Sequence, residues 1–255
     1  MELELRNKII ELFEYRELPT LIKYGQVEWD DSFYEGLIQL QYDIYKLDHE
    51  LETNWDVDLA VIADRWTKIH GDLRQLGVDE AKLDKYSSHI YKYQKHELEI
   101  RQRKLPTRLS MEYFYFYKSC DVKLLRRLIY DRNPALSSVV KTSDWRLFDL
   151  VTEINDDVED LQEDTTTING NRFLISMMQK GIDETVATFN NYLEDLNKRN
   201  QNVQSNQNPK LDYQRWTSEQ IDITRKLIIK QAKAFNNLDL ELYHKYLFEG
   251  QKASV

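Results

Sequence analysis

Apolar residues recur at gaps of three and four along most of this chain, which is the period of helices that bury one face. The clearest run is Leu147, Val151, Ile154, Val158 and Leu161, and it predicts a helix reaching about Asp164. Leu37, Leu40, Ile44, Leu47 and Leu51 make a second stripe, with Asp30 and Asp31 placed to cap its start. The same period predicts helices over 3–24 with a break at Pro19, 56–76 closed by Gly77, 79–104 ending before Pro106, and 109–131. Further helices follow over 172–199, 213–235 and 238–248. Thr165 to Gly170 is a short polar loop. Residues 200–212, containing the polar run NQNVQSNQNPK, are expected to form a mobile loop. The prediction is an all-α chain forming one domain over residues 1–255.

The sparse Gly and Pro, seven and four, agree with uninterrupted helices. The net charge of −9 argues against a general nucleic-acid binder, which needs a basic surface. The lone Cys120 excludes an internal disulfide framework and a multi-cysteine metal site. The amino terminus is charged from its start, and no run approaches the roughly 18 to 20 apolar residues that span a bilayer. A soluble, cytoplasmic protein is therefore expected. His70 and His96 stand alone on their helices, as structural or solvent-facing residues do. Five consecutive aromatics, Tyr113 to Tyr117, cover more than half the circumference of their helix and must meet two environments.

Charge brings in the chemistry. Opposite the apolar stripe of the 147–164 helix run Asp149, Glu153, Asp156, Asp160 and Asp164, with no Lys or Arg between them. Like charges one turn apart cost a few tenths of a kcal/mol per pair, and the acids at the C-terminal end also oppose the helix dipole. Something outside the helix should compensate, and a divalent metal is the obvious candidate. Asp48 and Glu52, one turn apart on the edge of the second stripe, offer a further carboxylate pair. Mg²⁺ takes carboxylates, waters and phosphate oxygens, so two such helices facing each other could clamp a diphosphate. Aromatic side chains could then stabilise a carbocation and exclude water.

With these parts the chain resembles the class I isoprenoid synthase superfamily, and within it the squalene/phytoene synthase branch. Asp48-His49-Glu50-Leu51-Glu52 is similar to the first aspartate-rich motif of that branch, and Asp160-Leu161-Gln162-Glu163-Asp164 to the second. Gly170-Asn171-Arg172-Phe173-Leu174 resembles the segment after the second motif. Tyr117-Lys118-Ser119-Cys120-Asp121-Val122 lies where the family has a Tyr-Val-Ala-Gly segment, with Lys118, Ser119 and Cys120 replacing small residues. Asn155, Glu159 and Glu163 fit an alternative register, similar to the metal motif of terpene cyclases, and the literal D-D-x-x-D at Asp156 to Asp160 is a third.

The resemblance implies a helical bundle of about ten helices around a central cavity. It implies an enzyme that ionises an allylic prenyl diphosphate with up to about three Mg²⁺ ions, followed by cyclisation or condensation and release of pyrophosphate. Metal binding falls to Asp48, Glu52, Asp156, Asp160 and Asp164, diphosphate binding to Arg172 and Arg108, and the cavity wall to Tyr117, Tyr113 and Phe114. The partners implied are a prenyl diphosphate and, transiently, a membrane surface, with no nucleic acid. The competing expectation is a non-catalytic helical protein whose acidic face binds a basic partner.

Overall fold

A computed structural model describes residues 1–25, 30–203 and 212–249, and every regular element among them is helical. In chain order these are α1 (Leu3–Tyr15), α2 (Leu18–Tyr24), α3 (Asp31–Thr53), α4 (Leu59–Gln75), α5 (Leu83–Ile100) and α6 (Met111–Lys118). They continue with α7 (Cys120–Arg132), α8 (Arg146–Glu159), α9 (Leu161–Asp164), α10 (Arg172–Lys180), α11 (Ile182–Asn202) and α12 (Tyr213–Ala234). Short 3₁₀ turns join several of them, and the chain closes on Glu241–Tyr243 and a π-helical segment, His244–Glu249.

Four of the expected helices differ from their sequence outline by a break. The first breaks at Glu17, whose φ of 58° is left-handed, rather than at Pro19. Pro19 sits in the first turn of α2, where its missing N–H costs nothing. The 109–131 helix breaks at Ser119, which ends α6 and begins α7. The acidic helix breaks at Asp160, between α8 and α9. The 172–199 helix breaks at Gly181, whose φ of 85° suits glycine. The 79–104 helix stops at Ile100 instead of running to Lys104. The expected 200–212 loop is partly helix, because α11 continues through Asn202. There the buried Asn200 donates to Gln214 O at 2.8 Å and Ser218 Oγ at 3.0 Å. Residues 204–211 of that loop lie outside the described residues.

Two apolar clusters form the core. The first joins α1 to α5 with α7, through residues such as Phe13, Leu37, Leu47, Ile69, Ile90 and Leu125. The second joins α6, α8, α10, α11 and α12, through Tyr115, Val151, Phe173, Leu193 and Ile228. Helix α8 serves both. Its stripe of Leu147, Val151, Ile154 and Val158, continued by Leu161 of α9, enters the second cluster, while Phe148 points into the first.

Ion pairs fasten the polar face of α8. Arg126 of α7, 2% exposed, pairs with Asp149 at 2.8 Å, donates to Arg16 O at 2.9 Å and lies 4.0 Å from the Trp145 ring centroid. Removing one partner of such a pair strands the other charge in the interior. Arg126→Met is therefore expected to cost about 3–5 kcal/mol of unfolding free energy, with most of the loss recovered in Arg126→Met/Asp149→Asn. Denaturant titration checks this, and an Arg126→Met chain as stable as its parent would refute the buried pair.

Candidate functional site

A cavity of about 670 Å³ is lined by residues from α1, α3, α5, α7, α8 and α9, and by the end of α6 and the loop after α9. Asp48 and Glu52 lie on its α3 wall, and Asp156, Asp160, Glu163 and Asp164 on the wall built by α8 and α9. The remainder of the lining is mixed: Leu5, Leu12, Ile44, Leu47, Ile90, Tyr45, Tyr93 and Cys120 are apolar or aromatic, and Lys8, Arg16, Lys46, His49, Lys118, Asp121, Glu153 and Asn169 are charged or polar.

Local structure explains why the two acidic segments meet. The last turn of α3 has no basic residue of its own, and Arg101 supplies the missing charge from α5. Its guanidinium donates to the carbonyls of Leu51, Asn54 and Trp55, which satisfies orphan acceptors at the helix end. Ile168 N then donates to Glu52 O at 2.7 Å, so the loop after α9 is docked onto the end of α3. That loop is held from the other side as well. Asn171 donates to Asp157 O at 2.6 Å and Asp164 Oδ2 at 2.7 Å, and Tyr243 donates to Asn169 Oδ1 at 2.7 Å. Gly170 has no side chain because a Cβ there would lie 2.8 Å from Glu97 Oε1.

Part of the acidic face carries internal counter-charges. Arg16, fully buried, reaches from the end of α1 to Glu153 at 2.8 Å and Asp156 at 2.5 Å, and also donates to Thr152. Lys118 pairs with Asp157, which also accepts from Tyr115 Oη at 2.8 Å and Arg172 N at 2.9 Å. Asp48 accepts from Tyr93 Oη at 2.7 Å. Glu52, Asp160 and Glu163 have no ion-pair partner among the described residues.

Confinement shifts the titration of these acids. Desolvation, followed by repulsion from Asp164 and Asp156, raises Asp160 to about 7. Desolvation also raises Asp164 to about 6, even with Lys118 and the Asn171 hydrogen bond opposing it. Asp48 and Glu52 are both shifted upward by burial and by neighbouring acids. Behind them Glu97, buried and with Oε2 unpartnered, is raised to about 8 by burial and by Asp48.

The remaining sequence-proposed residues lie elsewhere. Arg172 is buried, with its guanidinium donating to Pro106 O at 2.8 Å and lying 5.7 Å from the Phe114 ring centroid. Arg108 pairs with Glu99. Phe114 is packed in the second apolar cluster. Tyr113 and Tyr117, with ring centroids 4.6 Å apart and planes tilted by 57°, belong to an outward-facing group with His89, His96 and Phe116. The five-aromatic run thus splits between core and surface, and none of the three aromatics proposed for the wall lines the cavity. Of the alternative register, Asn155 is tied between Glu159 at 3.2 Å and Thr224 at 3.0 Å, while Glu163 alone lines the cavity. Arg16, Lys118, Tyr93, Glu97 and Asn169 belong to the site and were not singled out from sequence. Lys118 did leave a signal, as a lysine where the resembled segment has a small residue.

The donor set is one of hard oxygens on facing walls, which fits Mg²⁺. Among the described residues no three acids, histidines or cysteines are gathered around one point as an ion cluster. Comparison with protein-family models, curated proteins and solved structures returns no match to this chain. What the chain does is therefore read from the cavity.

Unfolded carboxylates titrate near about 4, whereas Asp164, Asp160 and Glu97 titrate at about 6, 7 and 8 in the fold. The folded chain binds more protons over that range, so its stability is full below the unfolded values and is lost as pH rises through the folded ones. Glu112, held at about 2 by its hydrogen bond from Arg199, adds a constant across it. Tm without metal should fall from pH 5 to pH 8, Asp160→Asn should flatten the fall, and Mg²⁺ should raise Tm more at pH 8 than at pH 5. A Tm that rises with pH in the metal-free chain would contradict the assignment.

Proposed function

We propose that the chain is a Mg²⁺-dependent class I isoprenoid synthase, which ionises an allylic prenyl diphosphate and guides the carbocation to cyclisation or condensation. The observation that carries this reading is the placement of acid pairs from two separate helices, Asp48/Glu52 and Asp160/Asp164, on the lining of one cavity. Its volume falls within the range of about 300–1,000 Å³ usual for small-molecule sites, and its lining is divided as an amphiphilic substrate requires.

Asp48, Glu52, Asp160 and Asp164, with Asp156 on the side held by Arg16, would hold the ions. Bound Mg²⁺ would neutralise the diphosphate as it departs with the bonding electron pair. Leu5, Leu12, Ile44, Leu47 and Ile90 offer the prenyl chain an apolar surface away from water. Tyr45 and Tyr93, rather than the Tyr113 to Tyr117 run, supply the aromatic faces that would favour a cation. No described helix is long and apolar enough to cross a membrane, and a transient surface contact during substrate uptake is part of the same proposal.

The competing reading, an acidic face that docks a basic protein, needs that face in open solvent. Asp149 and Glu153 are 3% and 4% exposed and already paired with arginines, which takes them out of such a face. Asp160 and Glu163 are exposed, and it is their place on the same lining as Asp48 and Glu52 that favours the cavity reading.

Incubation with geranyl, farnesyl and geranylgeranyl diphosphates plus Mg²⁺, followed by pyrophosphate and hydrocarbon assay, tests the proposal. At least one substrate should release pyrophosphate, and Asp160→Asn or Asp48→Asn should lower the rate by about 100-fold or more, as expected when a ligand to a charge-neutralising ion is lost. Rates insensitive to both substitutions, or no release with any chain length, would overturn it.

A further inference from the structure

Lys118 occupies the last turn of α6, just before the break at Ser119, and lines the acidic cavity. Its ammonium is anchored on Asp157, a fully buried carboxylate. That carboxylate is itself fixed by Tyr115 Oη and Arg172 N. The anchor leaves reach to spare, because an ammonium has three donors and the Lys118 side chain keeps 24% of its surface open.

Its charge is felt on every side. Lys118 opposes the upward shifts of seven carboxylates, Asp48, Glu52, Glu97, Glu153, Asp156, Asp160 and Asp164. Burial works against the ammonium, yet Asp157, Asp164 and Glu153 hold its own pKa well above the usual lysine value. The other cations around the cavity are placed differently. Arg16 is committed to Glu153 and Asp156, Lys46 pairs with Glu2, and Lys8 is exposed at the outer edge.

We infer that Lys118 is a permanent, protein-supplied cation of this cavity, standing where a further divalent ion would otherwise be needed and offering N–H donors to the phosphoryl oxygens of a diphosphate. Asp157 then needs no metal of its own, and divalent ions are left to Asp48, Glu52, Asp156, Asp160 and Asp164. The diphosphate part of this inference rests on the proposed function. The charge part rests on the cavity alone.

The test counts Mn²⁺ bound to the full chain, by electron paramagnetic resonance and calorimetry, for wild type, Lys118→Gln and Lys118→Arg. Inorganic pyrophosphate is then titrated in at saturating Mn²⁺. Lys118→Gln should take up one more Mn²⁺ per chain, or bind the same number about tenfold or more tightly, because a positive charge next to the ions is gone. It should also bind pyrophosphate about tenfold or more weakly for want of a charged donor, while Lys118→Arg stays close to wild type in both. If circular dichroism shows Lys118→Gln unfolded, Lys118→Met/Asp157→Asn, which removes both partners of the buried pair, is measured instead.

Wild-type Mn²⁺ number and affinity in the variant, or wild-type pyrophosphate affinity, would overturn the inference. Mn²⁺ uptake by none of the chains would overturn it together with the metal-dependent reading. The expected binding differences without turnover of any prenyl diphosphate would remove the proposed function and leave the role of Lys118. Turnover by wild type with unchanged binding in Lys118→Gln would do the reverse.

Discussion

The interaction on which the rest of the structure depends is the compensation of the acidic face of α8. Each buried acid on it receives a cation from a different part of the chain. Arg126 from α7 meets Asp149, Arg16 from the end of α1 meets Glu153 and Asp156, and Lys118 from the end of α6 meets Asp157. Unpaired charges in those positions would be costly enough to unfold a domain of ordinary stability. The pairs therefore dictate which helices surround α8. The compensation stops one turn later, and Asp160 and Glu163 look into the cavity without a partner among the described residues. One stripe of acids is thus structural at its beginning and available for ligands at its end.

Helix direction adds to this division. Both α3 and α8 end at the cavity with no basic residue in their last turns, so the negative ends of two dipoles reinforce the carboxylates there. Arg101 binds the carbonyls at the end of α3 and makes no ion pair with Asp48 or Glu52. The loop that follows α9 is pinned to both walls through Ile168, Asn169 and Asn171. Acid pairs from two parts of the chain thus line one cavity in a fixed frame, which is the feature the proposed cation binding rests on.

Much of this was legible in the sequence because it depends on neighbours one turn apart. The stripe from Leu147 to Leu161 is buried as its spacing demanded. Asp48/Glu52 and Asp156, Asp160 and Asp164, all found by the same periodicity, lie on one cavity. The missing parts come from interactions across long separations. Arg16 lies 140 residues before Asp156, and nothing in local spacing marks it as a counter-ion. The breaks at Ser119 and Asp160 fall at residues without Gly or Pro character. Within α6 Lys118 turns inward while Tyr117 and Tyr113 face outward, so five adjacent aromatics could not be sorted by pattern alone. Arg172 and Arg108 looked like phosphate ligands because of their position near a motif, but each has a closer partner, Pro106 O and Glu99 respectively.

The claim at the centre of the account is that the unpaired acids of α3 and α9 share ions with an anionic ligand. Anomalous diffraction from crystals of the full chain grown with Mn²⁺ and inorganic pyrophosphate addresses it most directly. Anomalous density inside the cavity, between Asp48/Glu52 and Asp160/Asp164, with pyrophosphate beside it, is the predicted result. Density confined to the protein surface, or a cavity without it at saturating Mn²⁺, would contradict the account.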